Sequence, residues 1–150
     1  MPSPPPGGGG AHDAECVSGG PDVTRIHIGL VLLTVLSAFV AISGVVVDFT
    51  PTHVYNPTWP PHARFHGYLS IARTVLIMAA VIALAWGPVR AGDRLGWAVL
   101  ALLLLGWIAI WFIGPLVVPG TEDRAASIFA AVLAPLSLIG LWLSRPRPRR

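Results

Sequence analysis

The sequence predicts an all-α fold, an integral membrane four-helix bundle. Of its 150 residues, 54% are hydrophobic and only 11% are charged, and the mean hydropathy of +0.70 exceeds that of ordinary soluble domains. The excess is concentrated in four charge-poor runs, at residues 28–47, 65–86, 95–118 and 125–144. Each run holds 20 or more residues. At about 1.5 Å per residue, that length crosses a hydrocarbon core of roughly 30 Å.

The four runs are predicted to be helices, because a helix satisfies its backbone hydrogen bonds within one segment and lipid offers an isolated strand no partner. A barrel is disfavoured, since the strands of a barrel alternate polar and apolar residues. The connections between consecutive runs are short. Short connections predict a compact bundle in which sequential helices are antiparallel neighbours.

The chain is predicted to begin with a disordered tail, residues 1–24, which is rich in proline and glycine and nearly free of large apolar side chains. A membrane domain then covers residues 25–144, and a basic tail covers residues 145–150. The first run lacks the basic start directly before an apolar stretch that marks a secretory signal. We therefore expect the first run to be retained as a span.

Prolines and glycines mark the limits of the later helices. Pro60 and Pro61 precede the second run, and proline is well accepted at the first helical position, so the second helix is predicted to begin there. Gly114 and Pro115 mark the end of the third run. Pro135 lies near the middle of the fourth run, where it leaves a carbonyl without its donor and favours a kink.

The arginines predict the orientation of the chain in the membrane. The side that carries both termini holds seven of them: Arg25, Arg90, Arg94, Arg145, Arg147, Arg149 and Arg150. The opposite side holds Arg64 and Arg124. Cytoplasmic flanks carry the excess of basic residues, so we expect both termini in the cytoplasm, at a plasma or inner membrane. The pI near 10 comes from the same arginines, which we interpret as a signal for membrane orientation. We therefore predict no nucleic-acid partner.

The lipid bilayer is the first partner that the sequence predicts. Small residues at Ser37 and Ala41, and at Ala79 and Ala83, permit close contact between helices. Such contacts form within one chain or between copies, so oligomerisation stays an open alternative.

Segment 53–66, HVYNPTWPPHARFH, holds three of the five histidines, at the outward mouth of the second span. On a helix, His62, His66, Ser70 and Arg73 share one face, which forms a polar stripe that runs into the membrane. We name these four residues the α2 stripe.

Arg73 is expected to face the interior of the bundle. An arginine at the centre of a span costs about 2.5–3.5 kcal/mol by insertion scales, and an anionic partner reduces that penalty. Asp48, at the outer end of the first span, is the predicted partner, with Glu122 and Asp123 as the alternatives. The same position also suits Arg73 to bind an oxygen of a substrate.

Three interpretations of the histidines stay open. His53, His62 and His66, with Asp48, supply the N and O ligands that a divalent Zn, Cu or Fe site requires. Alternatively, His62 or His66 is a catalytic acid/base that Asp48 orients, because imidazole exchanges protons near neutral pH. The third interpretation is structural, with hydrogen bonds to the backbone. The residues predicted to bind substrate are Arg64, Ser70, Arg73 and Trp59.

The run 52–66, THVYNPTWPPHARFH, resembles the signature of a group of small four-helix membrane proteins from bacteria and fungi. In that group a similar H-x-x-N-P-x-W-P-P-H-A-R/K-F-H segment leads into the second span. The resemblance covers about a tenth of the chain and implies the fold without an activity. In architecture alone, the predicted bundle is also similar to the sterol-isomerase-like and DoxX-like membrane families. The acidic residues that serve the sterol isomerases within their helices have no counterparts in these spans.

Two classes of function follow from these features. The first is a membrane enzyme of the isomerase or cyclase type, which acts on a lipophilic small molecule such as an isoprenoid at an outward-facing His/Arg site. The second is a non-catalytic accessory or metal-binding membrane protein, which the shortage of ionisable residues within the spans favours. A proton-coupled exporter is disfavoured, because none of the four runs contains Asp or Glu.

Overall fold

The computed structural model describes Met1, residues 21–120 and residues 124–147, and these ranges contain four α-helices and no strand. The helices are α1 (Pro21–Asp48), α2 (Pro61–Leu84), α3 (Arg94–Val117) and α4 (Arg124–Ser144). A π-helical turn, Ala85–Val89, extends α2. All four helices are long and apolar enough to cross a membrane. The predicted all-α bundle is therefore confirmed, and the chain is a multi-pass membrane protein.

The helix limits differ most from the prediction at the start of the chain. Helix α1 begins at Pro21 rather than at residue 28, so residues 21–24 are helical although they were expected in the tail. Proline fits the first turn of a helix, and Asp22 in the same turn interacts favourably with the helix dipole. The rest of the predicted tail, residues 2–20, lies outside the described residues. Helix α2 begins at Pro61, where the prolines predict its start.

The helices form a closed ring, in which α1 packs against α2 and α4, and α3 packs against the same two helices. The interior is apolar, with Leu33, Met78, Val81 and Leu100 fully buried. We call the end of the bundle that carries residues 49–60 the distal end. The opposite end, which carries the start of α1 and the end of α4, is the terminal end.

Helices α1 and α4 approach each other closely at two glycines. A Cβ atom built on Gly29 would lie 2.6 Å from the amide nitrogen of Ser144 and 2.9 Å from the carbonyl oxygen of Gly140. Ser37, on the same helix, is also buried, whereas Ala79 and Ala83 lie on the exposed surface of α2. Of the two small-residue faces in the sequence, the one on α1 therefore packs against other helices of the same chain.

Pro88 determines the conformation of the connection from α2 to α3. Proline has no amide hydrogen, so the regular helical pattern is interrupted there. Instead, the amide of Arg90 donates to the carbonyl of Ala85, five residues earlier, at 3.1 Å. Asp93 then caps α3, because its carboxylate accepts from the amide of Leu95 at 2.8 Å. This turn holds the first residue of α3 at the terminal end.

Candidate functional site

A cavity of about 370 Å³ lies in the distal half of the bundle, and all four helices contribute to its wall. Most of the wall is apolar. Trp107 and Trp111 of α3 lie with ring centroids 5.7 Å apart, and Phe129 of α4 lies 6.5 Å from Trp111. The polar residues that line it are Ser43, Asp48, His53, Ser70 and Thr74. An apolar body with a few hydrogen-bonding groups is the kind of ligand that fits such a cavity.

The connection after α1 places His53 next to Asp48. Asp48 ends α1, and its carbonyl accepts from the amide of Val54 at 3.0 Å, while the amide of His53 donates to the carbonyl of Thr50 at 3.0 Å. These bonds turn the chain back, so that the imidazole lies beside the carboxylate at the rim of the cavity. The Nε2 atom of His53 lies 3.9 Å from Oδ1 of Asp48.

The imidazole of His53 is held on one side and open on the other. Its Nδ1 lies 3.0 Å from the hydroxyl of Thr52 and 3.4 Å from that of Thr50. Its Nε2 makes no hydrogen bond to any residue in the described ranges, because the distance to Asp48 exceeds hydrogen-bond range. The side chains are 44% exposed for His53 and 38% for Asp48, so a ligand at the cavity rim reaches both.

Deeper in the cavity, Thr74 carries the polar contact between α2 and α3. Its hydroxyl oxygen accepts from the indole Nε1 of Trp107 at 3.2 Å. A hydroxyl is both donor and acceptor, so Thr74 can still donate its own proton to an oxygen of a ligand. Neither residue was predicted as part of a site. The signal was present in Thr74, a polar residue at helical spacing from Ser70 on an otherwise apolar helix.

The α2 stripe does not line the cavity, apart from Ser70 at its edge. His62, His66 and Arg73 are exposed. The face of α2 that points into the bundle contains Ile71 and Thr74, and each of these two residues follows a stripe residue by one position in the sequence. Successive residues of an α-helix are about 100° apart around its axis. The stripe is therefore rotated away from the interior of the bundle.

The predicted pair of Arg73 with Asp48 is not formed. Within the described residues, the imidazole of His53 is the ionisable group beside Asp48, and no ion pair includes Arg73. The alternative partners Glu122 and Asp123 lie outside the described residues.

Arg64 and Trp59, both predicted to bind substrate, do not line the distal cavity and contact each other at the start of α2. The guanidinium Nε of Arg64 donates to the carbonyl of Trp59 at 3.2 Å. The Trp59 ring lies edge-on to the imidazole of His53, with centroids 6.4 Å apart. Trp59 thus lies beside His53 on the side of the connection, and Arg64 contacts the backbone of Trp59.

The three histidines that the sequence predicts as metal ligands do not lie together in the structure. His62 and His66 face each other with their Nε2 atoms 3.0 Å apart, whereas His53 lies beside Asp48. In the parts of the chain that the structure describes, no three His, Cys, Asp or Glu residues are placed to hold a metal ion together. A site of two histidine nitrogens is what the geometry offers.

Comparisons with protein-family models, with curated proteins and with solved structures found no match to this chain. The resemblance of segment 52–66 to a group of small four-helix membrane proteins therefore stays a prediction from its motif. The distal cavity has to be interpreted from its own geometry.

Proposed function

We propose that this membrane protein binds a lipophilic molecule in the distal cavity and transfers a proton on it through His53. The observation that carries the proposal is the position of the His53–Asp48 pair at one end of a cavity lined by aromatic side chains. At about 370 Å³, the cavity lies within the range of small-molecule sites. An isoprenoid, or another lipid with one or two oxygen atoms, matches the apolar wall and the few hydroxyl groups.

The proton transfer uses the open nitrogen of His53. Nε2 of the neutral imidazole removes a proton from a carbon that lies between a carbonyl group and a double bond, and the electron pair moves onto the carbonyl oxygen, to which the hydroxyl of Thr74 can donate. The double bond moves into conjugation with the carbonyl group, and the imidazolium returns a proton to the far carbon of the original double bond. One C–H bond breaks and one forms, so no oxidant or reductant is required. Asp48, 3.9 Å from Nε2, stabilises the imidazolium. In place of the predicted His62 and His66, His53 is thus the acid/base that we propose.

Solvent deuterium tests this assignment. Full-length protein in nanodiscs is incubated in D₂O with neutral lipids extracted from the native membrane, and the lipids are analysed by mass spectrometry. We expect deuterium in at least one lipid, and a loss of rate of about 10²-fold or more in His53→Ala, since general acid–base catalysis contributes that much. His62→Ala is the matched control and should exchange like the wild type.

Two results would count against the proposal. Equal exchange in His53→Ala and the wild type would remove His53 from the reaction. Binding of a lipid by the wild type without any exchange would leave a carrier or accessory protein, the non-catalytic alternative.

A second function, metal binding, is favoured by one observation, the pair His62 and His66. Two nitrogens bound tetrahedrally to one Zn²⁺ at about 2.0–2.1 Å lie about 3.3–3.4 Å apart, and the two Nε2 atoms are 3.0 Å apart, so a small rotation of either ring gives the required spacing. Both side chains are exposed near the start of α2, so water or a second protein can supply the remaining ligands.

Calorimetric titration of tag-free protein with Zn²⁺ tests this second function. We expect His62→Ala and His66→Ala to weaken binding by about tenfold or more, because each removes one of two ligands. His27→Ala is the control, since His27 is exposed at the terminal end, against the ring of Trp86. If His27→Ala weakens binding as much as His62→Ala does, the pair is not a metal site.

We propose further that both termini face the cytoplasm, at a plasma or inner membrane. This rests on the arginine distribution, because the terminal end of the bundle carries Arg25, Arg90, Arg94, Arg145 and Arg147 among the described residues. The distal end carries Arg64 and Arg124. In this orientation the distal cavity opens near the outer surface of the membrane.

A further inference from the structure

We infer that a second cavity, at the terminal end, binds the phosphate diester of an anionic phospholipid head group. This cavity of about 650 Å³ lies between α1, α3 and the chain that follows α4. We call it the arginine groove. The residues that carry the inference are Arg25, Arg94, Trp97, Trp142, Arg145 and Arg147.

Arg25 is fixed in the wall of the groove. Its side chain is only 17% exposed, and its two terminal nitrogens donate to the carbonyls of Trp142 and Arg145, at 3.0 and 3.2 Å. Its Nε is buried and has no hydrogen-bond partner among the described residues. Arg25 therefore holds the end of α4 against α1 and contributes a positive charge that water does not fully screen.

The groove carries more positive than negative charge. Four arginines line it, and Asp22 is the carboxylate that pairs with them among the described residues, in contact with Arg147 and 3.8 Å from Nε of Arg25. In the described part of the chain, neither Arg94 nor Arg145 has a carboxylate partner. Arg145 lies over the ring of Trp97, at 5.9 Å from its centroid. An anion is therefore the ligand that the groove favours, and guanidinium groups bind phosphate oxygens well.

The position of the groove favours a lipid over a free anion. Trp142, 66% exposed, belongs to a residue type that concentrates at the membrane interface. The helices that line the groove continue toward the membrane centre with exposed apolar residues such as Leu102 and Leu138. A head group in the groove would thus leave its acyl chains against apolar surface. Basic residues that only set the orientation of the helices have to flank the spans, but they do not have to line a cavity.

A lipid-retention experiment tests this inference. Full-length protein in mild detergent is exposed to equal amounts of phosphatidylglycerol and phosphatidylcholine, and the retained lipid is measured by native mass spectrometry. We expect the wild type to retain phosphatidylglycerol preferentially and Arg94→Gln to retain about fivefold less, because one basic residue at an anionic membrane surface contributes about that factor. Arg90→Gln is the matched control, since Arg90 is an exposed arginine at the same end that contacts Trp86 and lies outside the groove.

Three outcomes overturn the inference. Equal retention of the two lipids by the wild type would show that the head-group charge is not recognised. Equal losses in Arg94→Gln and Arg90→Gln would show that net charge alone acts. Displacement of phosphatidylglycerol by excess inorganic phosphate would show that a free anion occupies the groove. Arg94→Lys keeps the charge and should retain the lipid, so a folding defect at this position is distinguishable from lost recognition.

Discussion

Gly29→Ala is expected to lower the free energy of unfolding by about 1–3 kcal/mol, the usual range for added volume in a packed interior. The added methyl group would lie 2.6 Å from the amide nitrogen of Ser144, and both this atom and the nearby carbonyl oxygen of Gly140 belong to the backbone. A backbone atom cannot move away by changing a rotamer. Helices α1 and α4 must therefore separate, which reduces the van der Waals contact that holds helices together in lipid.

Gly106→Ala is the matched control for this prediction. Gly106 lies in the middle of helix α3, on its exposed surface, and a Cβ atom there has no described atom within 4 Å. The same substitution should leave the free energy of unfolding unchanged or raise it by up to about 1 kcal/mol, from helix propensity alone. Equilibrium unfolding in mixed detergent micelles measures both variants. Equal stabilities would show that α1 and α4 do not approach as closely as the structure places them.

The four spans are predictable from the sequence because lipid admits long apolar helices, and the runs at residues 28–47 and 65–86 already have that length. The start of α2 at Pro61 is predictable for a local reason, since proline needs no amide partner at the first turn. Both predictions depend on properties of a single segment. The extension of α1 to Pro21 was not predicted, because those residues resemble the polar tail in composition.

The rotation of α2 was not predictable, since lipid tails are as apolar as a protein interior and hydropathy does not separate the two faces. The sequence places His62, His66 and Arg73 on one face, which is correct, but the interior receives the face through Ile71 and Thr74. The position of His53 depends on the turn after Asp48, which several backbone bonds determine together. Asp48 was predicted to pair with Arg73, whereas His53 is the ionisable residue that lies beside it among the described residues.

An exposed Arg73 has a physical consequence for the membrane around α2. It lies about 18 Å along the helix from Pro61 and has no carboxylate partner among the described residues, so its guanidinium must extend toward the lipid head groups or meet an anionic group outside those residues. The cost of an arginine at this depth, about 2.5–3.5 kcal/mol on insertion scales, falls when the side chain snorkels. Apart from Ser70 at the edge of the cavity, the α2 stripe is therefore a polar surface directed outward.

Gly44→Leu is expected to abolish ligand binding in the distal cavity while the protein remains folded. Gly44 lines the cavity, and a Cβ atom there has no described atom within 4 Å, so a larger side chain extends into open space. The leucine occupies volume that the apolar body of the ligand needs. We expect photolabelling by a diazirine-bearing farnesol analogue to weaken by tenfold or more, or about 1.4 kcal/mol of binding free energy. The free energy of unfolding should change by less than about 1 kcal/mol, since leucine favours the helix.

Comparison with two other variants separates cavity binding from proton transfer. Gly106→Leu adds the same side chain at an open helical position that does not line the cavity, so its labelling should match the wild type. His53→Ala should still be labelled, because the aromatic wall is intact, but should not exchange solvent deuterium into a lipid. Gly44→Leu should lose both properties. Full labelling of Gly44→Leu would place the ligand elsewhere on the protein, and His53 would then have no substrate within reach.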